Sequence, residues 1–516
     1  MKVRLLDPDW DFDPDAEEPD TGDDLRRDLE LDFLWDAMGA GDGFLRAVAR
    51  AATLRPATSP ETVAYRQDAL RDVLQNPDAV AGLYAVAMDA LAVRRGILMM
   101  PVRGRPEITL SHSVRMLVQL ADRLDTLRTL CAEVTDAFRS AAFRELFAIV
   151  ARELDDAYMQ RMRGQLTELE FGPGMLMSAH VGGDGQVTRQ ILRRGKRANQ
   201  GFFDRTPLRK PRFAFTIPER DEAGFNALAD LRARSVADVS AAVHESTEHV
   251  LGFFRQLRIE LAFYQGVANL RAALEDLGVS TCIPEVTDQP GCAVTALRDP
   301  CLALRAGSAP VGNDLALNDG GLLVITGANH GGKSTFLRAL GTAQLMAQSG
   351  GIVAASHFSC PTAGQVLTHG TREEDTELRH GKLDEELDRM SGLVDRIRPG
   401  DLLLCNESFA STNEAEGSQI ALDVTSALVK AGVRVRYVTH MYDFAHAVQG
   451  AGLGAEFLRA PRDATGTRSY RLEAGAPLAT SYGVDLYDRV FGTRLAQAGD
   501  GGGRDDPHTE GDTNAR

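Results

Sequence analysis

Lysine is scarce in this chain: only six of its 57 basic residues are lysines, and the other 51 are arginines. Cysteine is sparse too, with six residues (131, 282, 292, 301, 360 and 405) far apart and no C-x-x-C pair. That spacing argues against a disulfide scaffold or a zinc site and points to a reducing cytoplasm. No run of eighteen apolar residues occurs, so no membrane span is expected. Aspartates at 7, 9, 11, 13 and 15 do not suit a secretory signal. What remains, 516 residues with 44% apolar and 25% charged side chains, has the composition of an ordinary soluble protein with room for several domains.

The net charge of −16 is unevenly spread. Residues 1–32 carry thirteen acids against four bases, and residues 497–516 carry five against two, which leaves −4 on the remaining 464. Composition therefore predicts two disordered tails, an acidic one over 1–30 and a Gly/Asp-rich one over 497–516. An acidic tail either competes with DNA for a basic groove or is simply solvated.

Between the tails the hydrophobic period changes. From 31 to 168 apolar residues recur at helical spacing, as in Asp68-Ala-Leu-Arg-Asp-Val-Leu74 and Val114-Arg-Met-Leu-Val-Gln-Leu-Ala121. Over 169–222 glycines at 172, 174, 182, 183 and 185 punctuate short β-like runs such as Gln186-Val-Thr-Arg-Gln-Ile-Leu192. Helical periodicity then runs through 223–277 without a proline, about 80 Å of helix if continuous. A compact insert between long helices suggests a lever with something mounted at its tip. From 278 to 496 strands alternate with helices, the α/β pattern of a nucleotide-binding domain.

The sharpest motif lies in that last region. Gly327-Ala328-Asn329-His330-Gly331-Gly332-Lys333-Ser334-Thr335 matches G-x-x-x-x-G-K-[ST] in full, between a strand-like Leu322-Leu-Val-Ile325 and a helical stretch from Phe336. Glycines there let backbone N–H groups surround phosphate oxygens at a helix N-terminus; Lys333 would reach the outer phosphates and Ser334 would ligate Mg2+. One of the six lysines thus stands where a P-loop needs it. Downstream, Asp401-Leu-Leu-Leu-Cys405 reads as a buried strand followed by Asn406-Glu407, which makes Glu407 the candidate for activating the attacking water. A third strand, Val433-Arg-Val-Arg-Tyr-Val438, ends at Thr439-His440, and His440 would sense the terminal phosphate. The expectation is an ATPase that uses ATP and Mg2+.

The stretch from Leu322 to Phe444 resembles the ATPase domain of the MutS mismatch-repair family, which is related to ABC-type ATPases. Residues 327–335 are similar to the family's G-P-N-M-G-G-K-S-T, and Asn406-Glu-Ser-Phe-Ala-Ser-Thr-Asn-Glu-Ala-Glu-Gly417 aligns without gaps to its D-E-I-G-R-G-T-S-T-x-D-G. Thr439-His440 matches its T-H, Ser481-Tyr-Gly-Val-Asp-Leu486 its S-Y-G-I-x-V, and Arg66-Gln-Asp-Ala69 the R-Q-x-A of its helical core. The resemblance implies a multidomain protein: an all-α core and lever with a small β-containing insert, then an α/β P-loop (ABC-type) ATPase domain. It also implies a homodimer with composite nucleotide sites, in which 411–414 and a segment near Gly381 face the partner's ATP. Adenine would rest on Pro310 and Val311, where the family often has an aromatic. The insert at 169–222 stands where the family mounts its DNA-gripping clamp.

Three departures qualify the likeness. Asn406 replaces the expected Asp, and a neutral amide holds the Mg2+ water shell less well, which predicts slow hydrolysis. Gly381-Lys-Leu-Asp-Glu-Glu-Leu387 stands where the family has G-R-S-T-F-M-V, so the serine that reaches across to the partner is missing. The family's mismatch-reading and connector domains have no counterpart before residue 31, so direct mismatch reading is not expected.

Contact with duplex or structured DNA is expected instead from a basic cluster in the insert: Arg189, Arg193, Arg194, Lys196, Arg197, Arg209, Lys210 and Arg212, with Phe202, Phe203 and Phe213 interleaved. Two function classes follow. One is a DNA-binding ATPase whose dimer closes on ATP; the other is an ATP-gated protein–protein switch for which the basic insert is a docking site.

Overall fold

A computed structural model describes residues 1–96, 105–171, 174–183, 187–193, 216–318, 321–327, 331–371, 381–461 and 469–477. The chain divides into two units. One comprises Met1–Pro19, Trp35–Ala273 and Met346–Ile352; the other comprises Asp20–Leu34, Leu274–Leu345 and the chain from Val353 onward. The protein is multidomain and helix-rich, with three separate sheets among the described residues. No helix among them is long and apolar enough to cross a membrane.

The chain opens with α1 (Gly22–Asp28) and α2 (Leu31–Gly39), followed by α3 (Gly43–Leu54), α4 (Pro60–Gln75), α5 (Pro77–Gly96), α6 (Pro106–Val134), α7 (Ala141–Glu153) and α8 (Asp156–Leu169). Local chemistry sets several of the starts. Asp42, Ser59, Ser140 and Asp155 each accept a hydrogen bond from a backbone N–H of the following first turn, and Pro60 follows its cap. Inside the unit, Phe138, Phe143 and Phe147 form one aromatic cluster with ring centroids 4.7–5.9 Å apart. Then comes a hairpin, β1 (Leu176–Val181) and β2 (Val187–Arg193), paired antiparallel. After it runs α9 (Glu222–Asp276), a single uninterrupted helix of 55 residues. Propensity alone does not hold a helix that long; buried residues such as Leu251, Phe254, Leu257, Leu261 and Tyr264 anchor its second half.

The expectation of a disordered tail over 1–30 is overturned. Leu5 and Leu6 are fully buried, and Glu260 of α9 accepts hydrogen bonds from the backbone N–H groups of Leu5, Leu6 and Phe12. Carbonyls of the same segment are met as well: Tyr264 Oη donates to Leu5 O (2.7 Å), Arg66 Nε to Leu6 O (2.6 Å) and Gln256 Nε2 to Phe12 O (2.8 Å). Further on, α1 buries Leu25, and Glu30 receives Arg305 and Arg338 at 2.7 and 2.8 Å. Net charge misled because it counts the acids, many of them exposed, whereas the apolar residues and the backbone of the segment find buried partners far away in the chain. The tail expected over 497–516 lies outside the described residues.

The second unit continues with β3 (Glu285–Thr287), β4 (Cys292–Leu297), α10 (Pro300–Ala306), β5 (Asn313–Leu317), β6 (Leu322–Gly327), α11 (Lys333–Gln348), β7 (His357–Pro361) and β8 (Val366–Gly370). It is completed by α12 (Lys382–Val394), β9 (Leu402–Asn406), α13 (Glu414–Lys430), β10 (Arg434–Val438), α14 (Tyr442–Gly450), β11 (Glu456–Ala460) and β12 (Glu473–Ala474). Six strands form one sheet in the order β12-β11-β6-β10-β9-β8, all parallel except β12; a four-stranded sheet runs β3-β7-β4-β5. The parallel strands read as continuous apolar runs because both faces are covered: Leu322, Leu323, Val324 and Ile325 are all buried, as are Leu402, Leu403, Leu404 and Cys405. Register matters for the site. Val438 lies beside both Ile325 and Asn406, so β6, β10 and β9 end side by side.

Candidate functional site

At the carboxyl end of β6, Gly327 has φ +114, and a Cβ there would sit 2.7 Å from Ala460 O on the neighbouring strand β11. Only glycine lets the chain leave the sheet at that point. Asn329 lies outside the described residues. The described chain resumes at Gly331 and Gly332, and α11 begins at Lys333, where the first backbone N–H groups of a helix have no partner within it. Lys333 is buried; its Nζ donates to Gly327 O at 3.0 Å and stands 3.9 Å from Glu407 Oε1. Burial pulls the Lys333 ammonium below its ordinary pKa, and the Glu407 carboxylate opposes that pull.

Ser334 Oγ donates to Asn406 Oδ1 at 2.8 Å, so the hydroxyl after the lysine and the amide at the end of β9 are in direct contact. Glu407 follows with φ +55, an uncommon conformation for a residue with a side chain, and its N–H donates to Val438 O of β10 at 2.9 Å. Its Oε2 accepts from the backbone N–H of His440 at 3.1 Å and lies 2.5 Å from His440 Nδ1. That hydrogen bond raises the His440 pKa, burial partly offsets it, and the carboxylate's charge adds to it.

Lys333, Ser334 and Glu407 border a cavity of about 670 Å3, within the usual range for a small-molecule site, and Asn406 and His440 stand behind them, bound to Ser334 and Glu407. Its wall includes Pro310, Val311, Gly332, Lys333, Thr335 and Glu407. The structure also brings in Tyr470, which sequence reasoning did not single out. Asn313 holds that stretch in place, donating from Nδ2 to Tyr470 O (3.2 Å) and accepting from Leu472 N (2.7 Å). No spacing in the sequence pointed to position 470. Asn406 and Ser334 offer two neutral oxygens, and no group of three His, Cys, Asp or Glu side chains among the described residues is arranged to hold a metal by itself.

Residues expected to face a partner's nucleotide stand near one another. Gly381 precedes α12, Asn413 caps α13, and Ser411 Oγ donates to Glu386 Oε1 of α12 at 2.7 Å. Of the basic cluster, Arg189 and Arg193 lie on β2, and Arg193 Nε donates across the hairpin to Ser178 Oγ at 2.8 Å. Arg194, Lys196, Arg197, Arg209, Lys210 and Arg212 lie outside the described residues, as does the motif at 481–486.

Two family comparisons match this chain: MutS2 N-terminal domain over residues 58–277 and MutS domain V over residues 323–486. Similar proteins include the DNA mismatch repair protein MutS of Thermus aquaticus, 28% identical over 55% of this chain and 35% of that protein. The Endonuclease MutS2 of Solidesulfovibrio magneticus is 28% identical over 49% of this chain and 31% of its own length. MutS protein homolog 4 of Mus musculus is 29% identical over 32% of this chain and 17% of its own. The match spans well under half the length of each of these relatives. Arg66-Gln-Asp-Ala69 falls inside the first matched region, and Lys333, Ser334, Glu407 and Tyr470 fall inside the second; the chain belongs to the MutS family.

Proposed function

We propose that this chain is a MutS-type ATPase whose nucleotide cycle controls its hold on DNA in repair or recombination. The observation that carries the reading is the convergence of Lys333, Ser334 and Glu407 on one cavity at the carboxyl ends of adjacent parallel strands, with Asn406 bound to Ser334. Ligands of open α/β sheets bind at such strand ends. The phosphates of ATP would lie on the turn 327–335 against the first N–H groups of α11, with Lys333 released from Gly327 O to meet them. The adenine would sit among Pro310, Val311 and Tyr470.

Ser334 and Asn406 fit Mg2+, which takes oxygen ligands and keeps several waters; bound there with the phosphates, it would neutralise their charge. Glu407 acts as the base. It takes a proton from water as the water oxygen bonds to the γ-phosphorus and the bond to ADP breaks, leaving ADP and phosphate. His440 holds the Glu407 carboxylate beforehand and is placed to report the γ-phosphate. Asn406 in place of an aspartate makes turnover slow. As in the family, two copies would complete each other's sites, with 411–414 and the segment near Gly381 facing the partner's ATP.

DNA contact falls to the basic insert: Arg189, Arg193, Arg194, Lys196, Arg197, Arg209, Lys210 and Arg212. Relatives named as a DNA mismatch repair protein and an endonuclease support that assignment. A second reading, an ATP-gated protein switch with little hydrolysis and no DNA binding, is favoured by one observation, the neutral Asn406. A binding panel of duplex, mismatched, forked, four-way and single-stranded DNA, with and without ATP, separates the two. Salt-sensitive binding that is lost when Arg193, Arg194 and Arg197 are replaced by Glu supports the first reading, and no binding at low salt supports the second. Lys333→Ala should weaken ATP binding more than about 100-fold; unchanged affinity would move the nucleotide elsewhere.

A further inference from the structure

One buried histidine of the second unit is not used by the mechanism above. His369, on β8, is almost fully inaccessible, and both ring nitrogens have partners. Nε2 lies 3.0 Å from the carbonyl of Glu386 on α12, and Nδ1 lies 2.7 Å from Ser408 Oγ. A carbonyl can only accept, so Nε2 carries the proton. In a neutral ring Nδ1 is then an acceptor, and Ser408 must turn its hydroxyl proton toward it rather than toward His369 O at 3.1 Å. A doubly protonated ring would bury a charge against neutral partners, which burial disfavours.

The serine held this way is the residue after Glu407. It sits between two left-handed residues with side chains, Glu407 at φ +55 and Phe409 at φ +61. Such backbone persists only where its surroundings over-determine it. Ser408 is fixed on both sides, because its carbonyl accepts from Tyr437 Oη at 2.7 Å while its hydroxyl meets His369. Phe409 lies against the His369 ring with centroids 5.5 Å apart, and Glu386 also accepts from Ser411. The His369 imidazole therefore ties the turn that aims the Glu407 carboxylate to both β8 and α12.

We propose that His369 is a positioning residue of this site: by binding Ser408 it holds the Glu407 turn in its left-handed form, and so keeps the carboxylate over the cavity and against His440. The catalytic half of this proposal rests on the ATPase reading; the geometric half does not. His369 does not line the cavity and acts through Ser408.

The test pairs His369→Leu, which removes both hydrogen bonds, with His369→Asn, which keeps a polar atom near the Nδ1 position, and Ser408→Ala, which removes the shared bond from the other side. Two readouts are taken on the full chain. The first is ATPase turnover with ATP affinity. His369→Leu and Ser408→Ala should each lower kcat about tenfold with affinity within twofold, the double variant should be no worse than either single one, and His369→Asn should recover part of the loss. The second readout needs no turnover. The titration of His440, followed by NMR and assigned with His440→Asn, reports the Glu407 carboxylate beside it; Lys333 and Glu414 are the other charged groups that face it. In His369→Leu and in Ser408→Ala the midpoint should move down toward that of an ordinary histidine.

An unmoved His440 titration in a folded His369→Leu or Ser408→Ala overturns the proposal, whether or not the chain hydrolyses ATP. If instead the wild-type chain binds no ATP while both variants shift His440, the ATPase reading fails and the positioning role stands. Should His369→Leu not fold, Ser408→Ala and His369→Asn carry the same two readouts.

Discussion

Glu260 and Glu407 are both glutamates that accept backbone N–H groups, yet their surroundings assign them opposite work. Glu260 is fully buried on α9 and meets three backbone donors of the segment 5–12 together with Gln256. Desolvation pushes its carboxyl up to about 7, and those hydrogen bonds pull the other way. Glu407 stands at the rim of a cavity, beside a buried lysine and a histidine, on a strained turn. The first has every lone pair used by the fold. The second is left with a carboxylate that can exchange partners, as chemistry requires. Satisfied burial marks a structural acid, whereas strain with exchangeable partners marks a functional one.

The comparison breaks first on stability. Glu260→Ala strands several buried backbone N–H groups and should cost about 3 kcal/mol in denaturant unfolding of the helical unit. Glu407→Ala should change stability by no more than about 0.5 kcal/mol. Equal losses from the two would erase the distinction.

The pH dependence sharpens it next. In the folded chain the Glu260 carboxyl titrates near 7, above its ordinary value of 4.5, so the folded state holds that proton more tightly across this window. Stability contributed by the group therefore falls as pH rises from about 4.5 to about 7, by up to roughly 1.4 kcal/mol per pH unit, and levels off above. Glu260→Gln should flatten that window, as read by thermal melts across pH. His440 runs differently: its pairing with Glu407 contributes fully below about 6.5 and is lost as pH rises through its raised pKa.

The smallest expected effect is at the metal position. Asn406→Asp should raise Mg2+-dependent turnover several-fold, since a carboxylate holds the ion's water shell better than an amide. An unchanged rate would show that Ser334 and the phosphates already suffice.

Much of the site could be read in the sequence because its parts are local. Lys333 and Ser334 follow a strand within a nine-residue motif, and Glu407 and His440 each stand just past an apolar strand; Lys333, Ser334 and Glu407 line one cavity, and His440 stands against Glu407. The alternation of periods likewise separated a helical region from a region of parallel strands. What could not be read depends on long-range pairing. The acids of residues 1–30 dominate any composition count, whereas Glu260, 255 positions from Leu5, is what orders the segment. Tyr470 reaches the cavity beside Asn313, 157 positions earlier, which binds its carbonyl. The role of His369 is invisible in sequence for the same reason, since β8, α12 and the turn after β9 meet only in the folded unit.

The central claim is that the cavity hydrolyses ATP through Glu407. Turnover and ATP affinity of Glu407→Gln, measured on one preparation, test it most directly. The account predicts ATP bound about as tightly as by the wild type, with hydrolysis slowed more than about 100-fold. Hydrolysis by Glu407→Gln at the wild-type rate would contradict it.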